Sequence, residues 1–309
     1  MSMIVNFSPE LSAWIQHNLD RGCNLHDLVK TMVEQKFDPK IAHALVDAFA
    51  TARSFGNPPP SGFIELDAAA DTYIYETPRL ASAGVIRTYD REIRVLLRMQ
   101  QPIVALLENV LSPTECEQII NLARARLQPS TVVDPVSGEN KVAEHRDSEG
   151  MFFNLNETPF IAVLDKRISE IMNCPIEHGE GLQVLRYGVN AKNTPHFDFL
   201  APSNQANRDS LARSGQRIST LVVYLNEVSS GGETVFPELG GLAVSPKPGN
   251  AVYFEYANSL RQVDLKSVHA GAPVYAGEKW ALTKWMRERR FIPAPVTGSL
   301  DGYLEHIKA

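Results

Sequence analysis

The sequence predicts an α+β protein in which helices come first and a run of short strands follows. Two observations predict it. Up to about residue 171, capping residues repeatedly precede apolar positions spaced for a helix face. After Gly181 the texture changes to short segments rich in β-branched and aromatic residues, separated by Gly, Pro or Asn. Helices followed by strands argue for α+β, with a barrel or sandwich carrying the site.

In chain order, Ser8-Pro9 supplies a cap and a first-turn proline ahead of Leu11, Trp14 and Ile15, and Gly22 supplies a stop. Asn24 can cap a second helix along Leu25, Leu28, Val29, Met32 and Val33. Asp38-Pro39 repeats the signal before Ile41, Leu45, Val46 and Phe49. Residues 1–55 thus read as a small helical domain, a packing appendage or a surface for a protein partner or for dimerisation. Pro58-Pro59-Pro60 is a stiff connector. Residues 56–100 form a linker and connecting segment whose elements the pattern leaves unplaced. Residues 101–292 form the main domain and 293–309 a tail. Ser112-Pro113-Thr114-Glu115 is a capping box before Ile119, Ile120 and Ala123. Thr158-Pro159 opens a helix with Ile161, Leu164, Ile168 and Ile171 on one face. Strands are expected at 182–187, 219–225, 251–256, 267–275 and 280–285.

The chain of 309 residues can bury a sizeable core, and its 44% apolar and 21% charged composition is that of a globular protein. The formal net charge of −6 leaves no basic footprint for a nucleic acid. The cluster Arg287, Arg289 and Arg290 reads as a solvated face. No apolar run approaches the ~20 residues of a membrane span, and the first ten residues lack a secretory pattern, so a cytoplasmic location is expected. Cys23, Cys116 and Cys174 are too far apart for a metal or redox motif and read as reduced thiols.

The chemistry concentrates in the strand region. Thr194-Pro195-His196-Phe197-Asp198 contains H-x-D, and on a strand positions i and i+2 share a face. His269 lies on a later expected strand. Two imidazoles and one carboxylate on one side of an ion leave positions open for other ligands, the facial triad of non-haem Fe(II) oxygenases. Lys279 follows across the turn Ala276-Gly277-Glu278, so the two segments can form a hairpin. Alternation puts Lys279, Ala281, Thr283 and Trp285 on one face, toward a barrel interior. A buried ammonium needs an anion, and a dicarboxylate chelating the metal at one end would supply it at the other. Singly, each feature has a plainer reading: a core histidine, a snorkelling lysine, a core aromatic or an ion-paired arginine.

Together they resemble the prolyl 4-hydroxylase branch of the 2-oxoglutarate dioxygenases. The resemblance is carried by residues 181–188, 195–198, 215–220, 224–225, 231–237, 247–254, 269–274, 277–280 and 284–285, and it spans roughly 105 to 291. It implies a double-stranded β-helix (jelly-roll) core with supporting helices. It implies Fe(II) at His196, Asp198 and His269, and Lys279 on the distal carboxylate of 2-oxoglutarate. Tyr187, Thr220 and Trp285 match positions in the same pocket. Arg217, Arg146 and Asn193 match substrate-facing positions. Ascorbate would serve as the reductant, as in relatives. The family's tyrosine three residues before the first iron histidine is Asn193 here, and its Arg-Thr-Ser motif is Arg146-Asp147-Ser148. The expected reaction converts 2-oxoglutarate and O2 to succinate and CO2 while hydroxylating a C–H bond in a peptidyl or amino-acid, proline-like substrate. The alternatives are a small metabolite, another protein side chain, or a jelly-roll module that binds without catalysis.

Overall fold

The computed structural model describes residues 2–54, 56–67, 73–129, 131–133, 140–142, 148–202 and 204–294. The three N-terminal helices form where the caps place them: α1 Pro9–Asp20, α2 Leu25–Glu34 and α3 Pro39–Ser54. Ser8 Oγ accepts from the Leu11 amide at 3.3 Å, and Asp38 Oδ1 accepts from the Ile41 amide at 3.2 Å. The helices bury Ile15, Leu28, Leu45, Val46 and Phe49 in a core of their own. Strand β1 Ser2–Asn6 pairs antiparallel with β2 Phe63–Asp67 and adds Val5 and Ile64 to that core. Helical periodicity hid these two strands, because each is short and offers one apolar residue to the inside.

The unplaced segment after the connector contains β3 Val85–Arg87, β4 Glu92–Gln100 and β5 Ile103–Glu108. Helix α4 Pro113–Arg124 follows, opened by the Ser112–Glu115 capping box. Then come β6 Gln128–Pro129, the pair β7 Thr131–Val133 and β8 Asn140–Val142, and β9 Ser148–Phe153. Helix α5 Pro159–Met172 starts at the Thr158 cap and fully buries Ile161, Leu164, Ile168 and Ile171. Strands β10 Leu182–Tyr187 and β11 Asn193–His196 precede α6 Gln205–Ser214, a polar helix with little periodic signal. The remaining strands are β12 Arg217–Tyr224, β13 Ser230–Gly231, β14 Thr234–Phe236, β15 Leu242–Val244, β16 Ala251–Glu255, β17 His269–Gly271, β18 Val274–Ala276 and β19 Lys279–Arg287. Among the described residues no helix is long and apolar enough to cross a membrane.

The α+β class holds, with large antiparallel sheets. Nine strands form one sheet in the order β3-β4-β5-β16-β12-β19-β10-β9-β6, and four form another, β11-β17-β14-β15. The two sheets face one another. Tyr224 Oη donates to Thr234 Oγ1 at 2.8 Å across the gap, and the Phe236 and Phe254 rings meet edge to face at 5.3 Å. Helix α5 covers the other face of the large sheet, where Trp280, Leu282, Lys284 and Met286 of β19 are buried.

Three expectations are corrected. The segments of His269 and Lys279 do not form a hairpin. β17 pairs with β11 and β14, β18 pairs with β13, and β19 lies between β12 and β10 in the other sheet. The chain crosses between sheets at Gly277, whose φ of +84° suits glycine alone. Asp198 is not on a strand with His196, because β11 ends at His196 and Asp198 sits in the following bend. Arg287 is no part of a solvated face: it is 1% exposed and donates to Glu180 at 3.0 Å. Only Arg289 and Arg290 of that cluster are exposed.

The α5–sheet interface holds a buried ion pair, Lys284 Nζ to Asp165 Oδ1 at 2.7 Å. The other carboxylate oxygen accepts from the Asn156 amide at 2.8 Å. Asp165→Ala strands the ammonium in the core and is expected to cost about 3–5 kcal/mol, measured by urea unfolding. Asp165→Leu combined with Lys284→Met removes both charges and is expected to recover most of that loss.

Candidate metal centre and co-substrate pocket

His196 and His269 are cross-strand partners in the β11–β17 ladder, so their side chains leave the same face of the small sheet. Their ring centroids are 4.3 Å apart. Each ring is oriented by a carbonyl two residues earlier: His196 Nδ1 lies 2.9 Å from the Thr194 oxygen, and His269 Nδ1 lies 3.0 Å from the Ser267 oxygen. A carbonyl only accepts, so these contacts assign the proton to Nδ1 and leave the Nε2 lone pair outward. Both Nε2 atoms face Asp198, His196 at 3.6 Å from Oδ1 and His269 at 3.6 Å from Oδ2. Ligand atoms of the three residues lie within 4.8 Å of one another, a set able to hold one metal ion. Asn193 joins this edge, its Nδ2 3.3 Å from His196 Nε2.

Asp198 is held from below. Thr220 Oγ1 donates to Asp198 Oδ2 at 2.7 Å and lies 2.9 Å from Tyr256 Oη. Burial alone would raise the Asp198 pKa, but the positive charge of the two histidine rings when protonated, with Arg217 and the Thr220 hydroxyl, holds it down at about 2. The carboxylate is therefore ionised whenever a metal is offered. Thr220, expected to line the co-substrate pocket, instead lies under Asp198. The strand points it inward, but the carboxylate roofs it over.

The cavity floor is the large sheet. Register places Gln183 beside Thr283, Leu185 beside Ala281, and Tyr187 beside Lys279. These residues line one cavity with Asn193, His196, Asp198, His269 and Trp285. Lys279 is 5% exposed, and no hydrogen bond or ion pair to its ammonium is found among the described residues. Its Nζ lies 5.6 Å from the ring centroids of both Tyr187 and Tyr224. Burial pulls its pKa down to about 8, against the field of Glu233. A buried cation with aromatic walls and no anion is the environment a carboxylate would complete.

Arg217 packs on Trp285 of the lining but is already engaged. It donates to both oxygens of Glu180, at 2.7 and 2.8 Å, and its guanidinium lies 4.0 Å from the Trp285 ring centroid. Burial would raise the Glu180 pKa, and Arg217 with Arg287 lowers it below the carboxylate range. Arg146 and Asp147 lie outside the described residues. Sequence reasoning missed Tyr224, Gln183, Tyr256 and Glu180. The period of two was enough for the first two, since Tyr224 shares a face with Thr220, and Gln183 with Tyr187. Nothing local marks Tyr256 or Glu180.

The donor set is two nitrogens and one oxygen converging from one side, beside an ammonium awaiting an anion. Comparison with known proteins agrees with that chemistry. Residues 182–287 match the model of the 2OG-Fe(II) oxygenase superfamily. Prolyl 4-hydroxylase 1 of Arabidopsis thaliana is 40% identical over 202 residues, covering 61% of this chain and 70% of that protein. Prolyl 4-hydroxylase 5 of the same plant is 39% identical over 210 residues, covering 62% and 70%. The crystal structure of a viral collagen prolyl hydroxylase from Paramecium Bursaria Chlorella virus-1, with 2-oxoglutarate, aligns with a TM-score of 0.46 at 28% identity, covering 60% of this chain and 95% of that one.

The chain belongs to the prolyl 4-hydroxylase family of the 2-oxoglutarate- and Fe(II)-dependent oxygenases. It is accordingly a 2-oxoglutarate-dependent dioxygenase that uses Fe(II), with a prolyl hydroxylase-like function.

Thr220→Val keeps the shape of the side chain and removes both hydrogen bonds. Anaerobic titration with Fe(II) is expected to show affinity reduced on the order of 10- to 100-fold, the usual effect of losing such a support.

Proposed function

We propose that this enzyme hydroxylates proline residues within a peptide, with His196, Asp198 and His269 holding the iron and Lys279 holding the far carboxylate of 2-oxoglutarate. The observation that carries the reading is the Lys279 ammonium, without an ion pair or hydrogen bond among the described residues and buried in the cavity that also presents the three side chains able to hold a metal. The prolyl 4-hydroxylase relatives favour proline as the target. The facing sheets support the jelly-roll description.

Bound iron, with 2-oxoglutarate and O2, supplies the oxidising chemistry that ends in succinate, CO2 and a hydroxylated C–H bond. The chain's residues do the rest. His196, Asp198 and His269 would hold the ion from one side of the cavity, which would leave its open side to the co-substrate and O2. The carbonyls of Thr194 and Ser267 fix the imidazole tautomers, and Thr220 fixes the carboxylate. Lys279 sets the orientation of the co-substrate by pinning its other end, and Tyr187, Leu185 and Ala281 wall the passage from water. Trp285, braced by Arg217, stands in the same lining, and Asn193 stands beside His196 at the substrate edge.

Ascorbate as the reductant that keeps iron ferrous is part of the proposal. So is a cytoplasmic location, supported by three free cysteines of which two are buried. The N-terminal helices, with a core separate from that of the sheets, are proposed as a docking or dimerisation unit.

Incubation with Fe(II), ascorbate, 2-oxoglutarate and a capped proline-containing peptide is expected to release succinate and add one oxygen atom to a prolyl residue. Succinate release without peptide oxidation, with oxidation of free proline instead, would replace the peptide reading. Lys279→Ala is expected to raise the KM for 2-oxoglutarate roughly 100-fold, from the ~2–5 kcal/mol lost when one partner of a buried charge pair is removed, while Fe(II) still binds.

The Lys279 pKa gives a pH dependence. Below about 8 the ammonium is charged and ready for the dianion. Above that pH, 2-oxoglutarate affinity is expected to fall by up to ~10-fold per pH unit, with a proton taken up on binding. In the ligand-free protein the sign is opposite. Between about 8 and the ordinary lysine value of 10.5 the unfolded chain holds a proton that the folded chain lacks, so this group's contribution to stability rises with pH. Calorimetric titration and thermal melts across that window check both signs.

A further inference from the structure

The loop that delivers His269 is anchored by a stretch of chain that the family match at 182–287 does not include. Residues 73–80 carry no regular secondary structure, yet they are tied to residues 255–264 along their length. Arg79 donates to Glu255 through both its backbone amide, at 2.7 Å, and its guanidinium, at 2.8 Å. Glu76 accepts from the amide and hydroxyl of Ser259. The Ile74 amide donates to Gln262 Oε1 at 3.1 Å, and the Ile74 carbonyl accepts from Asn258 Nδ2 at 3.0 Å. Tyr75 Oη donates to Asp264 Oδ2 at 2.9 Å.

Asp264 is the junction. It is 2% exposed. Its other carboxylate oxygen accepts from the Lys266 amide at 3.0 Å, which caps the short 3-10 turn Leu265–Ser267. Its carbonyl accepts from the Ser267 hydroxyl at 2.6 Å. That turn fixes the Ser267 carbonyl, which is the group orienting His269 Nδ1 at 3.0 Å. The Asp264 amide donates to the Tyr256 carbonyl at 2.8 Å, and the Tyr256 hydroxyl lies against Thr220 beneath Asp198. One buried residue, its carboxylate on Tyr75 and the Lys266 amide and its backbone on Ser267 and Tyr256, thus connects the strap to the supports of His269 and Asp198.

We propose that residues 73–79 act as a strap on this loop and that Tyr75 and Asp264 are positioning residues for the iron, setting its affinity through His269. The inference rests on the reading of His269 as an iron ligand. The strap acts by removing alternative positions of the Ser267 carbonyl. Without it the imidazole samples tautomers and orientations that do not present Nε2 to the metal.

The test uses the full chain and Fe(II) alone, with affinity read anaerobically by competition against a chromogenic chelator. Tyr75→Phe deletes one hydroxyl and is expected to weaken Fe(II) on the order of ten-fold, with KM for 2-oxoglutarate unchanged at saturating iron. Tyr73→Phe is the matched control. Tyr73 packs edge to face on Tyr75 at 4.9 Å, and no hydrogen bond from its hydroxyl is found among the described residues. It is expected to bind iron as the wild type does. Asp264→Asn, which keeps an acceptor, is expected to lie between wild type and Asp264→Ala. If Tyr75→Phe is unfolded at the assay temperature, the surface variant Glu76→Ala carries the test, with a severalfold loss expected. Wild-type affinity in Tyr75→Phe, or in Glu76→Ala if that variant is needed, overturns the strap. An equal loss in Tyr73→Phe and Tyr75→Phe also overturns it, since it marks a general packing effect. Failure of the wild type to bind Fe(II) overturns the iron reading itself and the strap with it.

Discussion

A single ionised carboxylate, buried between two imidazole nitrogens, is the constraint on which this site depends. Asp198 sits 3.6 Å from each Nε2, and the Thr220 hydroxyl donates to its Oδ2. Its position is over-determined. The cross-strand pairing of β11 and β17 fixes the histidines, two carbonyls fix their tautomers, and Thr220 with Tyr256 fixes the carboxylate. Side chains held in this way need little reorganisation to take up an ion. That rigidity turns an ordinary pair of sheets into a metal site.

The handling of charge elsewhere in the chain shows that Lys279 is exceptional. Lys284, on the opposite face of the same strand, is matched by Asp165. Arg167 is matched by Asp90 and Glu115, and Arg287 and Arg217 share Glu180. Burying such groups is tolerated because each has a carboxylate within contact distance. Lys279 is as deeply placed, yet among the described residues its ammonium has no ion pair, only tyrosine faces and the more distant field of Glu233. The cavity thus presents an unmatched cation at one end and an under-matched anion with two lone pairs at the other. A ferrous ion and a dicarboxylate together satisfy both ends, and either alone leaves one unsatisfied.

Much of this was legible in the sequence where local chemistry decides structure. The caps at Ser8, Asp38, Ser112 and Thr158 start helices where they stand, and strands form at the β-branched and aromatic segments around Leu182, Arg217, Ala251 and Lys279. The three candidate metal ligands and Lys279, which the structure brings to one cavity, stand out in the sequence by their types and order. What escaped was decided by tertiary context. β1 and β2 find each other across 56 intervening residues. Asp198 leaves the strand because the chain bends directly after His196. The crossing at Gly277 sends β19 into the opposite sheet, where a turn signal had suggested a hairpin. Arg217 and Arg287 converge on Glu180 from separate strands, a pairing that no spacing encodes.

The most direct measurement is a crystal structure of the protein with Mn(II) in place of Fe(II) and with 2-oxoglutarate, using anomalous scattering to locate the metal. The account predicts one strong peak at coordination distance from His196 Nε2, His269 Nε2 and an Asp198 oxygen, with the diacid running from that peak to Lys279 Nζ. A peak that lacks any of the three side chains, or a diacid whose far end lies away from Lys279, would contradict it.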